Sequence, residues 1–175
     1  MAEVTFDIDD PALGAAAWGR LAEPGDPQAG ELVGQLGSGR ALHWLLSRAH
    51  DGPGDLWSAS VWQRARARWS ARLEGLDPVR EVRMITRLGG CLLHPGDPRW
   101  PERRGALGRL APHALWVRGE PGLLRMPAVA LVGARASTAY GEHVAGDLWA
   151  SLADGGLSVV AGGAYGPAAV APPGA

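Results

Sequence analysis

The sequence contains no lysine: all 17 of its basic residues are arginine. That excludes a Walker-type phosphate loop, whose lysine sits on the phosphates, and any Schiff-base lysine. There is one cysteine, Cys91, so neither an internal disulfide nor a Cys-rich zinc site can form. The five histidines, His43, His50, His94, His113 and His143, are scattered, and none pairs with another at i, i+4 beside a glutamate. No metal and no cofactor are expected. No apolar run reaches membrane-spanning length, and the start, MAEVTFDIDD, lacks the basic and apolar regions of a signal peptide. The expectation is a soluble cytoplasmic protein without a membrane partner. A net charge of −1 gives no bulk attraction to nucleic acid. In contrast, glycine (26) and proline (14) are plentiful, as in a GC-rich coding sequence, so single arginines and glycines carry little information.

The first half reads as helices separated by breakers. Residues 1–10 form a frayed start. Asp10-Pro11 is a helix entry, with an N-cap and a proline at the first helical position. Leu13, Ala17 and Leu21 share a face. A second helix follows Pro27, with Leu32, Val33 and Leu36 inward, and after Gly37-Ser38-Gly39 a third carries Leu42, Leu45, Leu46 and Ala49. A longer helix over Ser58 to Glu74 places Val61, Ala65, Trp69 and Leu73 together. Asp77-Pro78 opens another, which ends at Gly89-Gly90. Arg64, Arg68 and Arg72 recur at i, i+4, i+8. They form either a basic stripe for a nucleic-acid backbone or a solvated helix face. The eight tryptophans belong mostly to the core. The result is a small helical bundle over 11–89.

From Gly90 the pattern changes to short strands. Cys91 to Leu93 and Ala114 to Val117 are strand candidates on either side of a proline-rich stretch, and are expected to add to a main sheet. Ala128 to Gly163 then reads as strand, glycine turn, helix, glycine stop and strand. Val129 to Val132 is a β-branched apolar run suited to a buried parallel strand. Val144, Leu148 and Leu152 mark one helix face, Asp154-Gly155-Gly156 stops the helix, and Leu157 to Ala161 is the second strand. This is the opening β-α-β of a doubly wound sheet. Its first turn follows a parallel strand and precedes a helix, an arrangement that gathers backbone amides for an anion.

Several stretches taken together carry a resemblance. Asp97-Pro98, Trp100-Pro101, Gly133-Ala134-Arg135, Tyr140-Gly141 and Gly162-Gly163-Ala164-Tyr165-Gly166 resemble the DNA-processing protein A (DprA/Smf) family. The segment Arg20 to Val33 is similar to the helical domain of some of its members. The resemblance implies an α/β fold: a small N-terminal helical domain, of SAM or helix-hairpin-helix type, then a Rossmann-like doubly wound sheet. It also implies binding of single-stranded DNA during natural transformation, with loading of a RecA-type recombinase, no intrinsic catalysis, and homodimers in the family. Arg135 would contact phosphate, with Gly133, Ala134 and Ser137 in the same turn and Gly162 and Gly163 after the second strand. Tyr140 is expected to pack at the helix start, and Ser137 to act on phosphate or as an N-cap.

After Gly166 the family pattern gives way to Pro167–Ala175, with three prolines and no apolar period. The expected organisation is therefore a start (1–10), a helical domain (11–89), lead-in strands with the first β-α-β of an incomplete Rossmann-like sheet (90–166), and a non-family tail (167–175). A truncated or frameshifted form of the family follows from that reading. So does a marginally stable sheet with uncovered apolar surface, the helical domain being the better folded part. Two alternatives stand beside DNA binding: a Rossmann-like nucleotide hydrolase of the phosphoribohydrolase kind, and a non-functional remnant. Against the hydrolase, Gly133 to Gly141 is not a G-x-G-x-x-G fingerprint, and Glu142 is the only acid near the helix start.

Overall fold

The computed structural model describes residues 5–47, 56–133 and 138–162. The architecture is mixed α/β, divided into two compact units, Met1–Pro121 and Gly122–Ala175. The first unit holds α1 (Pro11–Leu21), α2 (Pro27–Leu36), α3 (Ser38–Leu46), α4 (Ala59–Ser70) and α5 (Pro78–Arg87), followed by β1 (Gly90–Leu93) and β2 (Leu115–Arg118). Three of its helices begin with Asp-Pro. Asp10 accepts hydrogen bonds from the amides of Ala12 and Leu13, Asp26 from those of Gln28 and Ala29, and Asp77 from that of Arg80. The following proline has no amide proton to leave unsatisfied, so each pair caps and pre-sets its helix. Gly37, at φ +79°, both ends α2 and opens α3, a conformation that favours glycine.

These helices close on a core of Trp18, Leu21, Leu32, Leu42, Leu45, Trp62 and Trp69, with alanines between them, all essentially buried. The indole rings of Trp18 and Trp69 meet edge to face at 5.2 Å, and those of Trp62 and Trp69 at 6.3 Å. Such pairs contribute about 0.5–1.5 kcal/mol each beyond their buried area. On α4 the buried face is Trp62, Ala65 and Trp69 rather than one that includes Val61, which is only half-buried. Ala49, expected in this core, lies outside the described residues.

β1 and β2 pair antiparallel, Leu92 opposite Trp116 and Leu93 opposite Leu115. Gly90 allows close packing here, because a Cβ would meet the carbonyl oxygen of Val117 at 2.4 Å and Cδ1 of Ile85 at 2.8 Å. The two strands form a sheet of their own within the first unit, so the expectation that they extend the parallel sheet is not met. The physical reason lies in their neighbours: α5 lies against both strands, and Leu92 and Leu93, on opposite faces of β1, are both buried within this unit.

The second unit is a β-α-β: β3 (Ala128–Ala130), α6 (Ala139–Asp154) and β4 (Ser158–Val160). The strands are parallel, with Val129 opposite Val159, and α6 packs on β4. Ala145 is the buried residue of α6. The apolar stripe read from the sequence is present but uncovered: Val144 is 42% and Leu148 45% exposed. Among the described residues β3 and β4 pair only with each other, so no further strand widens the layer that would receive that stripe. No helix among the described residues is long and apolar enough to cross a membrane.

Candidate nucleic-acid interface

In a parallel β-α-β, both strands end on one edge and the crossover helix begins there. The register of β3 and β4 puts Leu131 to Gly133 and Ala161 to Gly162 on that carboxyl edge, and the Leu131 amide bonds to the Val160 carbonyl at 2.8 Å. Gly133 and Gly162 are both exposed. The structure thus brings these two expected site residues to the same edge. Ala134, Arg135, Ser137 and Gly163 lie outside the described residues.

The first turn of α6 completes the edge. Its N-cap is Thr138, whose hydroxyl accepts from the Gly141 amide at 3.1 Å. That takes the capping role which the sequence left open for Ser137. A hydroxyl three residues before Gly141, followed by the acid Glu142, was the available signal. Tyr140 is 77% exposed, so the expectation that it packs at the helix start is overturned. The ring stands largely in solvent in the first turn of α6. His143 lies 3.4 Å from Asp147 one turn on, both well exposed.

The arginine-rich helix α4 has a different use. Arg68 donates to Gln28 at 2.6 Å and lies 3.3 Å from the Asp26 carboxylate. Arg72 pairs with Glu23 and reaches the Leu21 carbonyl at the end of α1. Arg66, not singled out from the sequence, donates to the Ser47 carbonyl at 2.8 Å and so caps α3. Two of the three stripe arginines therefore tie helices together, a use that neither a basic stripe nor a merely solvated face describes. Trp69 Nε1 also donates to Asp26, at 3.0 Å. Burial alone would raise the Asp26 pKa; the bonds from Trp69, the Ala29 and Gln28 amides and Arg68 outweigh it and hold the carboxyl below its usual value.

The motif around Asp97 is likewise a structural lock. The Asp97 carboxylate accepts from Arg99 Nη2 at 2.8 Å, Nε at 3.1 Å and the Arg99 amide at 2.8 Å. These bonds, led by the guanidinium, pull its pKa down to about 2. The Trp100 amide bonds back to the Asp97 carbonyl at 2.9 Å, and the indole is buried. Among the described residues no cluster of three or more His, Cys, Asp or Glu side chains could hold a metal ion.

Comparison with known proteins places these motifs. Residues 91–175 match the family of DNA recombination-mediator protein A. That stretch is just under half of the chain. Two proteins of Mycobacterium tuberculosis, from strains CDC 1551 / Oshkosh and ATCC 25618 / H37Rv and provisionally named DNA processing protein DprA, are each 36% identical over 171 residues. The alignment covers 91% of this chain and 41% of each relative, so the chain spans less than half the length of the proteins it matches. The recombination-mediator match takes in the Asp97 turn, the β1–β2 pair and the whole β-α-β, and the alignment to the relatives extends into the helical unit.

Proposed function

We propose that this chain takes part in DNA processing during recombination, by binding single-stranded DNA at the carboxyl edge of β3 and β4. One observation carries the reading: Gly133, Gly162 and the first turn of α6 converge on that edge, with Tyr140 exposed beside them. Glycine at 133 lets a phosphate approach the backbone, and the helix N-terminus offers partial positive charge to it. Arg135, in the same turn by sequence, supplies a planar cation matched to phosphate oxygens. Tyr140 supplies a face on which a base stacks. In this reading Ala134 and Ser137, with Gly163 after the second strand, are the remaining phosphate-contacting positions. The partners are single-stranded DNA and a RecA-type recombinase that receives it, in the cytoplasm and in the setting of DNA uptake. No catalytic step is assigned to the chain.

The test is fluorescence anisotropy with labelled oligothymidylate over a salt series. Affinity falls steeply as salt rises, because binding releases counterions. Arg135→Ala weakens binding at every salt concentration and lowers the salt slope by about 1. Tyr140→Ala costs about 1–3 kcal/mol of affinity without changing that slope. Wild-type affinity and slope in Arg135→Ala would remove the reading.

A further inference from the structure

The first unit carries an apolar groove that its own core leaves open. It lies between α1, α5 and β2, encloses about 370 Å³, and is lined by Gly19, Met84, Ile85, Leu88 and Trp116, with Arg20 and Glu81 at the rim. Glu81, Met84, Ile85 and Leu88 fall at i, i+3, i+4 and i+7, so they share one face of α5. Ile85 is held at the floor by its close approach to Gly90. The walls face solvent: Met84 is 51%, Leu88 56% and Trp116 42% exposed. A small unit does not normally leave three large apolar side chains side by side without use.

The charge around the groove is mostly positive. Arg80 and Arg87 stand one turn before and one turn after Met84 on α5. Arg118 follows Trp116 by two residues on β2 and so shares its face. With Arg20, these make four exposed guanidinium groups. Against them stands a single carboxylate at the rim, Glu81, 3.9 Å from Arg20. A chain whose net charge is −1 thus concentrates positive charge around an apolar slot. The floor is aliphatic and the walls hold one aromatic ring, which suits leucine-type anchors better than a succession of stacked bases.

We propose that this groove docks an acidic amphipathic helix of a partner protein. Apolar anchors at i, i+4 and i+7 of the partner fill the slot between Met84, Leu88 and Trp116. Its flanking glutamates and aspartates meet Arg20, Arg80, Arg87 and Arg118 in the bidentate geometry that guanidinium and carboxylate share.

The test uses the full chain and two labelled helical peptides with the same leucine spacing. One carries glutamates at the flanks and the other lysines. The glutamate peptide is expected to bind, and Leu88→Glu to abolish that binding. Arg80→Glu with Arg87→Glu, on exposed side chains that leave the fold intact, is expected to weaken the glutamate peptide roughly tenfold and to favour the lysine peptide. Four results would overturn the proposal. They are failure of the glutamate peptide to bind, equal binding of both peptides, displacement of the glutamate peptide by oligothymidylate, and a concentration-dependent dimer of the chain that Leu88→Glu dissolves.

Discussion

Two glycines on one helix give a test of opposite sign. Gly30 and Gly34 both lie in α2, one turn apart. A Cβ on Gly30 would sit 1.8 Å from the carbonyl oxygen of Arg109 and 2.7 Å from its carbon, in the 3₁₀ segment Glu102–Leu110 that packs on α2. A Cβ on Gly34 would meet nothing within 4 Å. Reaching ordinary contact at Gly30 requires roughly 1.6 Å of added separation, against backbone rather than a flexible side chain. Alanine gains about 0.5–1 kcal/mol over glycine inside a helix, and at Gly34 that gain stands alone. At Gly30 it is opposed by overpacking of about 1–3 kcal/mol, and a rigid carbonyl obstacle puts the cost at the upper end. Gly30→Ala should therefore lose about 2 kcal/mol while Gly34→Ala gains about 0.5–1 kcal/mol. Urea unfolding followed by tryptophan fluorescence is suited to the measurement, because seven of the eight tryptophans lie in residues 1–121. A Gly30→Ala midpoint at or above that of wild type would refute the packing of the 3₁₀ segment on α2.

The remaining predictions concern charge. Burial lowers the pKa of His113, only partly offset by the Asp26 charge, and its ring lies 5.9 Å from that of Trp18. The unfolded chain thus binds the His113 proton more readily, so stability falls as pH drops below about 6.5. His113→Phe should flatten the change in urea midpoint between neutral and mildly acidic buffer. Asp26→Ala removes an N-cap and orphans the buried Trp69 Nε1, at a cost of about 2–4 kcal/mol. The lowered pKa of Asp26 means its contribution is present above the ordinary carboxylate value and is lost as pH falls through the folded one. An acid-unfolding curve of Asp26→Asn should lack that component. The Asp97 carboxyl should titrate at about 2 by NMR, and Arg99→Ala should move it up toward 3.8; an unmoved value would refute the turn lock.

The helical unit was legible because its signals are local. Asp10-Pro11 and Asp77-Pro78 announce helices through chemistry confined to one turn, though the face read on α4 took Val61 inward where the structure buries Trp62. The partnership of β1 and β2 was not legible, because short strands of four residues choose partners by long-range packing, here against α5. The Asp97 motif was recognisable as a pattern, but its physical use, a carboxylate gripping Arg99 two residues on, needed coordinates. Tyr140 shows the converse error. An aromatic at a helix start reads as packing only if a second layer exists to receive it, and the sequence of α6 alone does not say how wide its sheet is. Of the candidate site, Gly133 and Gly162 were read only as positions following the two strands; the parallel register puts them on one edge.

The two units also differ in how each is held together. The helices of the first close on one another through Trp18, Trp62 and Trp69, so their apolar faces are satisfied within the unit. Among its described residues the second offers two three-residue strands and a 16-residue helix whose stripe, Val144 and Leu148, is partly exposed, as is Val160. A parallel sheet is stable when both faces are covered. An anion site built from backbone amides binds well only when those amides are fixed beforehand, since ordering them on binding subtracts from affinity. The position of the α6 first turn relative to Gly133 and Gly162 depends on how firmly α6 sits on β4. Covering the α6 stripe and tightening the carboxyl edge are therefore the same event. On the proposed reading, whatever buries Val144 and Leu148 should raise affinity for phosphate at the carboxyl edge, where α6 begins.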